Sequence, residues 1–211
     1  MNIDESARAR TIRVLLAEDE HLIRDALAAI LELETDIEIT ARAATGQEAL
    51  ATAVRHRPDV AVLDLQLPDI GGLEVAERLA TDLPECRMLV VTSHGRPGYL
   101  KKALSVGVLG FLPKTVRARV LAEAIRAVRD GRRYVDPELA GEAIGAGDSP
   151  LTPRESDVLE YAANGAGIEE IARRAALTVG TTRNYLSSAT SKIGAANRHE
   201  ACAIARRHGW I

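Results

Sequence analysis

The sequence predicts a doubly wound α/β domain built on a five-stranded parallel sheet, followed by a small all-α domain. Three observations carry this. Short apolar, β-branched runs alternate with segments of helical spacing up to Asp130. A stretch rich in Gly, Ser and Pro, Gly145-Ala146-Gly147-Asp148-Ser149-Pro150, then interrupts the chain and reads as a flexible linker. Beyond it every periodic segment is helical.

The strand-like runs are Ile12–Ala17, Ile37–Ala41, Val60–Leu65, Met88–Thr92 and Leu109–Leu112. Several are apolar throughout, as expected of strands covered on both faces. Between and after them helical spacing falls at His21–Leu33, Gln47–Arg55, Gly72–Ala80, Gly98–Val106 and Val116–Arg129. A short helix is expected within Tyr134–Ile144, behind Pro137. The domains are then 10–132 and 151–211, joined by a linker over 133–150. In the second, Thr152-Pro153-Arg154-Glu155 has the form of a capping box at the head of a helix. Helices are predicted over Pro153–Ala163, Ile168–Ala175, Val179–Ile193 and Arg198–His208.

Composition narrows the function. Of 211 residues 46% are apolar but only 3% aromatic, so the core is aliphatic and stacking platforms for single-stranded nucleic acid are disfavoured. The net charge of −3 is uneven: residues 151–211 hold eight Lys/Arg and six Asp/Glu, which leaves 19 and 24 for the rest. The front is acidic and the back mildly basic, suiting different partners. Cys86 and Cys202 lack metal-ligand spacing and are expected as buried thiols. No apolar run approaches the ~20 residues of a membrane span. The expectation is a soluble, cytoplasmic protein with no membrane partner.

Parallel sheets place functional groups at the carboxyl ends of their strands. Here those ends read Glu18-Asp19, Asp64, Thr92-Ser93 and Pro113-Lys114. Asp19 alone reads as a helix cap and Lys114 alone as a solvated loop lysine; the set of four strand ends is harder to explain that way. Three clustered carboxylates repel one another, and a hard divalent cation such as Mg²⁺ removes the conflict. Asp64 then serves as a carboxylate nucleophile toward phosphorus. Thr92 is placed to donate to one phosphoryl oxygen and Lys114 to pair with another. An Asp-based phosphatase of the haloacid-dehalogenase type needs a second Asp two residues after the nucleophile. Gln66 stands there and cannot protonate a leaving group, so no enzyme is expected.

Leu63-Asp64-Leu65-Gln66-Leu67-Pro68, with Glu18-Asp19 upstream and Phe111-Leu112-Pro113-Lys114 downstream, resembles the receiver domain of bacterial response regulators over residues 10–132. The resemblance implies a flavodoxin/CheY-like fold and Asp64 as phosphoacceptor. It implies Mg²⁺ held by Glu18, Asp19, Asp64 and the backbone carbonyl of Gln66, and Thr92 with Phe111 as a switch pair. The family often has Asp-Asp where this chain has Glu18-Asp19; the longer arm keeps the charge.

In Val179–Ile193 an apolar stripe of Val179, Leu186, Ala189 and Ile193, with Thr182 and Tyr185 beside it, faces a core. The remaining surface is short, polar and free of acids, and so suits a DNA groove. The candidate DNA contacts are Thr181, Thr182, Arg183, Asn184, Ser187, Ser188 and Lys192, with Ser191 on the same surface. A solvated face in a helical bundle is the plainer reading of that surface alone. The turn Ala176-Leu177-Thr178 after a short helix has helix-turn-helix form. Leu151-Thr152-Pro153-Arg154-Glu155, Glu170-Ile171-Ala172, Thr181–Leu186, Lys192-Ile193 and Asn197–Ala201 resemble the LuxR-type helix-turn-helix. Together the halves resemble a NarL/FixJ-type response regulator. Arg96–Tyr99, Gly131–Tyr134 and Arg183-Asn184-Tyr185 are most similar to its DesR subgroup. Gly167, Ile168 and Glu169 depart from the family's usual Ser, polar residue and Lys, weakening a cap and placing an acid near phosphates. The small core is also thinner at Ala175, where the family usually has Leu.

The resemblance implies a sensor histidine kinase as partner, homodimerisation on phosphorylation through about Asp25–Leu33 and Leu121–Arg129, and binding to double-stranded promoter DNA. Helix Arg198–His208 would pair the output domains. Two rivals stay open: a phosphorylation-independent DNA-binding regulator, and a phosphorylation-dependent protein-interaction module.

Overall fold

A computed structural model describes residues 11–93, 95–145, 149–208 and 210–211. The chain divides into two compact units. One runs to His94 and takes in Ala103–Asp136; the other joins Gly95–Lys102 to Pro137–Ile211. Of the expected linker, Gly145 closes a helix and residues 146–148 lie outside the described ones.

The elements of the first part of the chain are β1 (Ile12–Ala17), α1 (His21–Leu31), β2 (Ile37–Ala43), α2 (Gly46–His56), β3 (Val60–Leu63), α3 (Gly72–Asp82), β4 (Arg87–Thr92), α4 (Pro97–Ser105), β5 (Gly110–Pro113), α5 (Ala118–Arg129) and β6 (Tyr134–Val135). The strands form one sheet in the order β2-β1-β3-β4-β5-β6, every neighbouring pair parallel. The sheet has six strands, not the five predicted. The sixth is two residues long, pairing Tyr134 with Gly110 and Val135 with Phe111. Two residues show no period, and the sequence reading left them in the linker ahead of the short helix. Gly131, at φ +76, makes the turn from α5 into this edge.

Alternation explains why these strands are apolar throughout. Val14, Leu16, Val60, Val62, Leu89, Val91 and Leu112 join one core with Leu31, Leu121, Ile125 and Val128 of α1 and α5. Their sequence neighbours Leu15, Ala17, Ala61, Leu63, Met88, Val90 and Phe111 are buried too, on the opposite face. Cys86 is buried, which pushes its thiol up to about 12.

The second unit adds α6 (Pro137–Gly145), α7 (Pro153–Ala163), α8 (Ile168–Arg174), α9 (Val179–Ile193) and α10 (Arg198–Arg207). The capping box forms: Thr152 accepts from the Glu155 amide while Glu155 accepts from the Thr152 amide. Thr178 caps α9 and Asn197 caps α10, and Gly194 ends α9 in the left-handed region at φ 72. α8 starts at Gly167 without a side-chain cap, as its sequence implied. The core is small and aliphatic: Val158, Leu159, Ile171, Leu186, Ala189, Ala201 and Ala205, with Cys202 buried among them. Among the described residues no helix is long and apolar enough to cross a membrane.

Candidate functional site

The strand ends converge as their positions required. β1, β3, β4 and β5 are adjacent in the sheet, so Glu18-Asp19, Asp64, Thr92 and Lys114 leave it along one rim. Backbone bonds tie these exits together: Asp64 N–H donates to Ala17 at 2.9 Å and Lys114 N–H to Thr92 at 2.9 Å. One carboxylate oxygen each from Glu18, Asp19 and Asp64 lies within 4.8 Å of the others. Lys114 Nζ bridges two of them, 2.7 Å from Glu18 Oε2 and 2.9 Å from Asp64 Oδ2. Thr92 is fully buried at the end of β4. Val90 pairs with Phe111 and Thr92 with Pro113, so Thr92 and Phe111 share one face of the sheet. Gln66 lies half-buried in the loop after β3.

Electrostatics here is a contest between burial and pairing. Burial raises the Glu18 carboxyl and the nearby Asp64 charge adds to this, against the lowering effect of Lys114; the net shift is upward. Burial works against the Lys114 charge, but Glu18 and Asp64 outweigh it and hold the ammonium above its ordinary value. Among the described residues, three carboxylates face the Lys114 ammonium, with the Arg24 guanidinium held on the Glu18 and Asp19 carbonyls beside them, which leaves the carboxylate cluster short of positive charge. Hard oxygen donors this close together, with too little positive charge among them, fit a small divalent cation.

Two residues that sequence reasoning passed over shape the loop after β3. A Cβ at Gly72 would stand 1.9 Å from the Asp64 carbonyl oxygen, so only glycine lets α3 begin there. Asp69, at φ 68, accepts from the Gly46 and Gln47 amides at the head of α2, at 2.9 and 3.2 Å. Burial acts to raise its carboxyl, but the backbone donors outweigh it and hold the carboxyl below the usual range. The Gly71-Gly72 doublet was the available signal. Gly72→Ala is expected to cost the first unit about 1–3 kcal/mol in urea unfolding and to slow acetyl-phosphate labelling. Unchanged stability and labelling would show that the loop accommodates a methyl group there.

On α9 the polar surface is Arg183, Asn184, Ser187, Ser191 and Lys192, all exposed, with Thr181 half-buried. Thr182 is corrected: it is fully buried and its hydroxyl donates to Thr178 O at 2.9 Å. It falls on the core side of the helix and cannot meet DNA. Ser188 is half-buried, donating to Glu155 Oε1 at 2.6 Å, and Lys192 Nζ lies 2.8 Å from Glu155 Oε2. In α8, Glu170 pairs with both Arg173 and Arg174.

Sequence reasoning also missed Asp157. In the second unit its side chain is 2% exposed and pairs with Arg96 Nη1 at 2.8 Å. It also accepts from the Tyr99 hydroxyl, while Arg96 pairs in addition with Glu160. Burial and the facing Asp157 charge push the Tyr99 phenol above its usual range. A carboxylate in an amphipathic helix gives no sequence sign of a partner some sixty residues away.

Comparison with known proteins bears on both regions. The family model for the response regulator receiver domain matches residues 14–126, and that for the luxR family of bacterial regulatory proteins matches residues 149–205. The chain is 38% identical over 200 residues to the transcriptional regulatory protein DesR of Bacillus subtilis (strain 168), covering 95% of this chain and 99% of that one. It is also 38% identical to the uncharacterized transcriptional regulatory protein YvfU of the same organism, covering 95% and 100%. A crystal structure of a two-component response regulator of the LuxR family from Aurantimonas sp. SI85-9A1 superposes with a TM-score of 0.61 at 30% identity. That alignment covers 64% of this chain and 96% of the other.

Proposed function

Because the chain belongs to the response regulators that join a receiver domain to a LuxR-type helix-turn-helix, we propose that a phosphoryl group on Asp64 controls its binding to promoter DNA. The family is one of transcriptional regulators, and a receiver domain implies a histidine kinase as donor. The carrying observation is the meeting of Glu18, Asp19, Asp64 and Lys114 at one rim of the sheet.

In this reading Asp64 attacks the phosphorus of a kinase phosphohistidine. A carboxylate oxygen–phosphorus bond forms as the phosphorus–nitrogen bond breaks, and the imidazole leaves. Mg²⁺, held by Glu18, Asp19, Asp64 and the Gln66 carbonyl, would supply positive charge to the phosphoryl oxygens. Lys114, already paired with Asp64, turns part of its charge to the incoming group. Thr92 donates its hydroxyl to another phosphoryl oxygen, and Phe111, on the same face of the sheet, follows the hydroxyl. The chain itself catalyses no turnover of a separate substrate and works in the cytoplasm.

Control of DNA binding needs two states with different affinities. A homodimer favoured by phosphorylation supplies them, through α1 and α5, with α10 pairing the DNA-binding units. Exposed Ile30, in the last turn of α1, and Leu33, just beyond it, offer apolar area for such a contact. Two linked copies also multiply weak half-site binding.

Acetyl-phosphate labelling with Mg²⁺ is expected to modify the wild-type chain and leave Asp64→Asn unlabelled. Equal labelling of the two would remove Asp64 from the role. Genome-wide DNA-binding maps of the same pair are expected to differ, and identical maps would favour phosphorylation-independent binding.

A further inference from the structure

Glu155 sits in the first turn of α7, 3% exposed, and three donors converge on its carboxylate. The Thr152 amide reaches Oε2 at 2.7 Å and completes the cap of α7. The other two come from α9: the Ser188 hydroxyl at 2.6 Å from Oε1 and the Lys192 ammonium at 2.8 Å from Oε2. Ser188 and Lys192 are four positions apart and lie one above the other on a single face of α9. Two anchors one turn apart fix both the axial position of a helix and its rotation about its own axis. The surface left to a DNA groove is then Arg183, Asn184, Ser187 and Ser191, beside Thr181.

We infer that Glu155 is a positioning residue for DNA binding: by holding Ser188 and Lys192 from inside the unit, it sets the rotation of α9 and withdraws Lys192 from the phosphate contacts. The inference rests on α9 being the element that meets DNA. Its physical ground is an asymmetry. The Lys192 side chain is 39% exposed, so a phosphate contact there gains only a solvent-screened attraction. The Glu155 side chain is 4% exposed, and a lysine that left it would strand a buried carboxylate. Lys192 therefore stays, and its positive charge is not presented to the duplex.

The salt dependence of binding reads this directly, because each phosphate neutralised adds about 0.9 to the slope of log K against log salt. The full-length chain, treated with acetyl phosphate and Mg²⁺, would be titrated onto a mixed-sequence DNA duplex over a potassium chloride series. Lys192→Met is expected to leave the slope unchanged. Glu155→Gln frees Lys192 and is expected to steepen it by about 0.9 per protomer. The same variant loses the set of α9. It is expected to reduce preference for the tightest duplex selected from a random library, relative to the mixed-sequence one, by about fivefold or more, the value of one well-placed base contact.

A slope lowered by about 0.9 per protomer in Lys192→Met would make Lys192 a phosphate ligand and overturn the inference. Unchanged slope and preference in Glu155→Gln would reduce Glu155 to a helix cap and overturn it equally. Should Lys192→Met fail to fold, Glu155→Gln/Lys192→Met removes both charges: the wild-type slope supports the inference and a lower one sinks it. Arg183→Ala guards the premise, since it is expected to weaken binding; if it does not, α9 is not the DNA-binding element and both readings fall together.

Discussion

Arg96→Met is expected to destabilise the second unit by about 3–5 kcal/mol, more than Asp157→Ala, although the two variants break the same ion pair. The difference lies in what each leaves behind. Without Arg96, the Asp157 carboxylate keeps, among the described residues, only the Tyr99 hydroxyl, at a site where its side chain is 2% exposed. A buried charge with one neutral donor is the costly case. Without Asp157, Arg96 still pairs with Glu160, which is partly in solvent. The main loss is then the stranded Tyr99 hydroxyl, a penalty of about 1–3 kcal/mol. Trp210, the one tryptophan of the chain, packs against the core of this unit, so its fluorescence in urea follows the relevant transition. The double variant Arg96→Met/Asp157→Leu is expected to cost less than the sum of the single changes, since the buried carboxylate is gone and Glu160, partly in solvent, is the acid left without its arginine. Equal costs for the two single variants, or the reverse order, would mean that water reaches Asp157.

What could be read from the sequence follows from how local each signal is. Val60, Ala61, Val62 and Leu63 are buried without exception, and a run like that announces a central strand and ends at Asp64. Glu18-Asp19, Thr92 and Lys114 were legible for the same reason, because each closes or directly follows a largely apolar strand. β6 was not legible, because two residues at the edge of a sheet have no period to detect. Thr182 was misread because a hydroxyl looks polar in sequence. In the structure it satisfies itself on the Thr178 carbonyl and so can face the core. Lys192 and Ser188 belong to the polar surface by composition, yet their partner is an acid on a helix 37 and 33 positions away, respectively. Asp157 is the same case over a longer span. Buried polar pairs across helices are the part that periodicity does not encode.

Acid is expected to loosen the second unit through Glu155, and the competing effects on that residue set the direction. Burial is the largest single influence and acts to raise its pKa. The Lys192, Ser188 and Thr152 donors act together in the other direction and win, holding the carboxyl at about 2 against an ordinary 4.5. At about 1.4 kcal/mol per unit of pKa, the depressed value corresponds to at most about 3.5 kcal/mol of stability. Because the folded pKa lies below the unfolded one, that contribution is complete above about pH 4.5. It shrinks as the pH falls and is gone below about pH 2. Other carboxylates titrate over the same range, so the quantity to measure is the stability difference between wild type and Glu155→Gln, followed through Trp210 fluorescence in urea. The shared groups cancel in that difference. The gap is expected to be flat from neutral pH to about pH 5 and to close steadily below it. If burial instead outweighed the donors, the carboxylate would be a liability when charged. Glu155→Gln would then be the more stable chain at neutral pH, with its advantage fading in acid, the opposite of the expected profile.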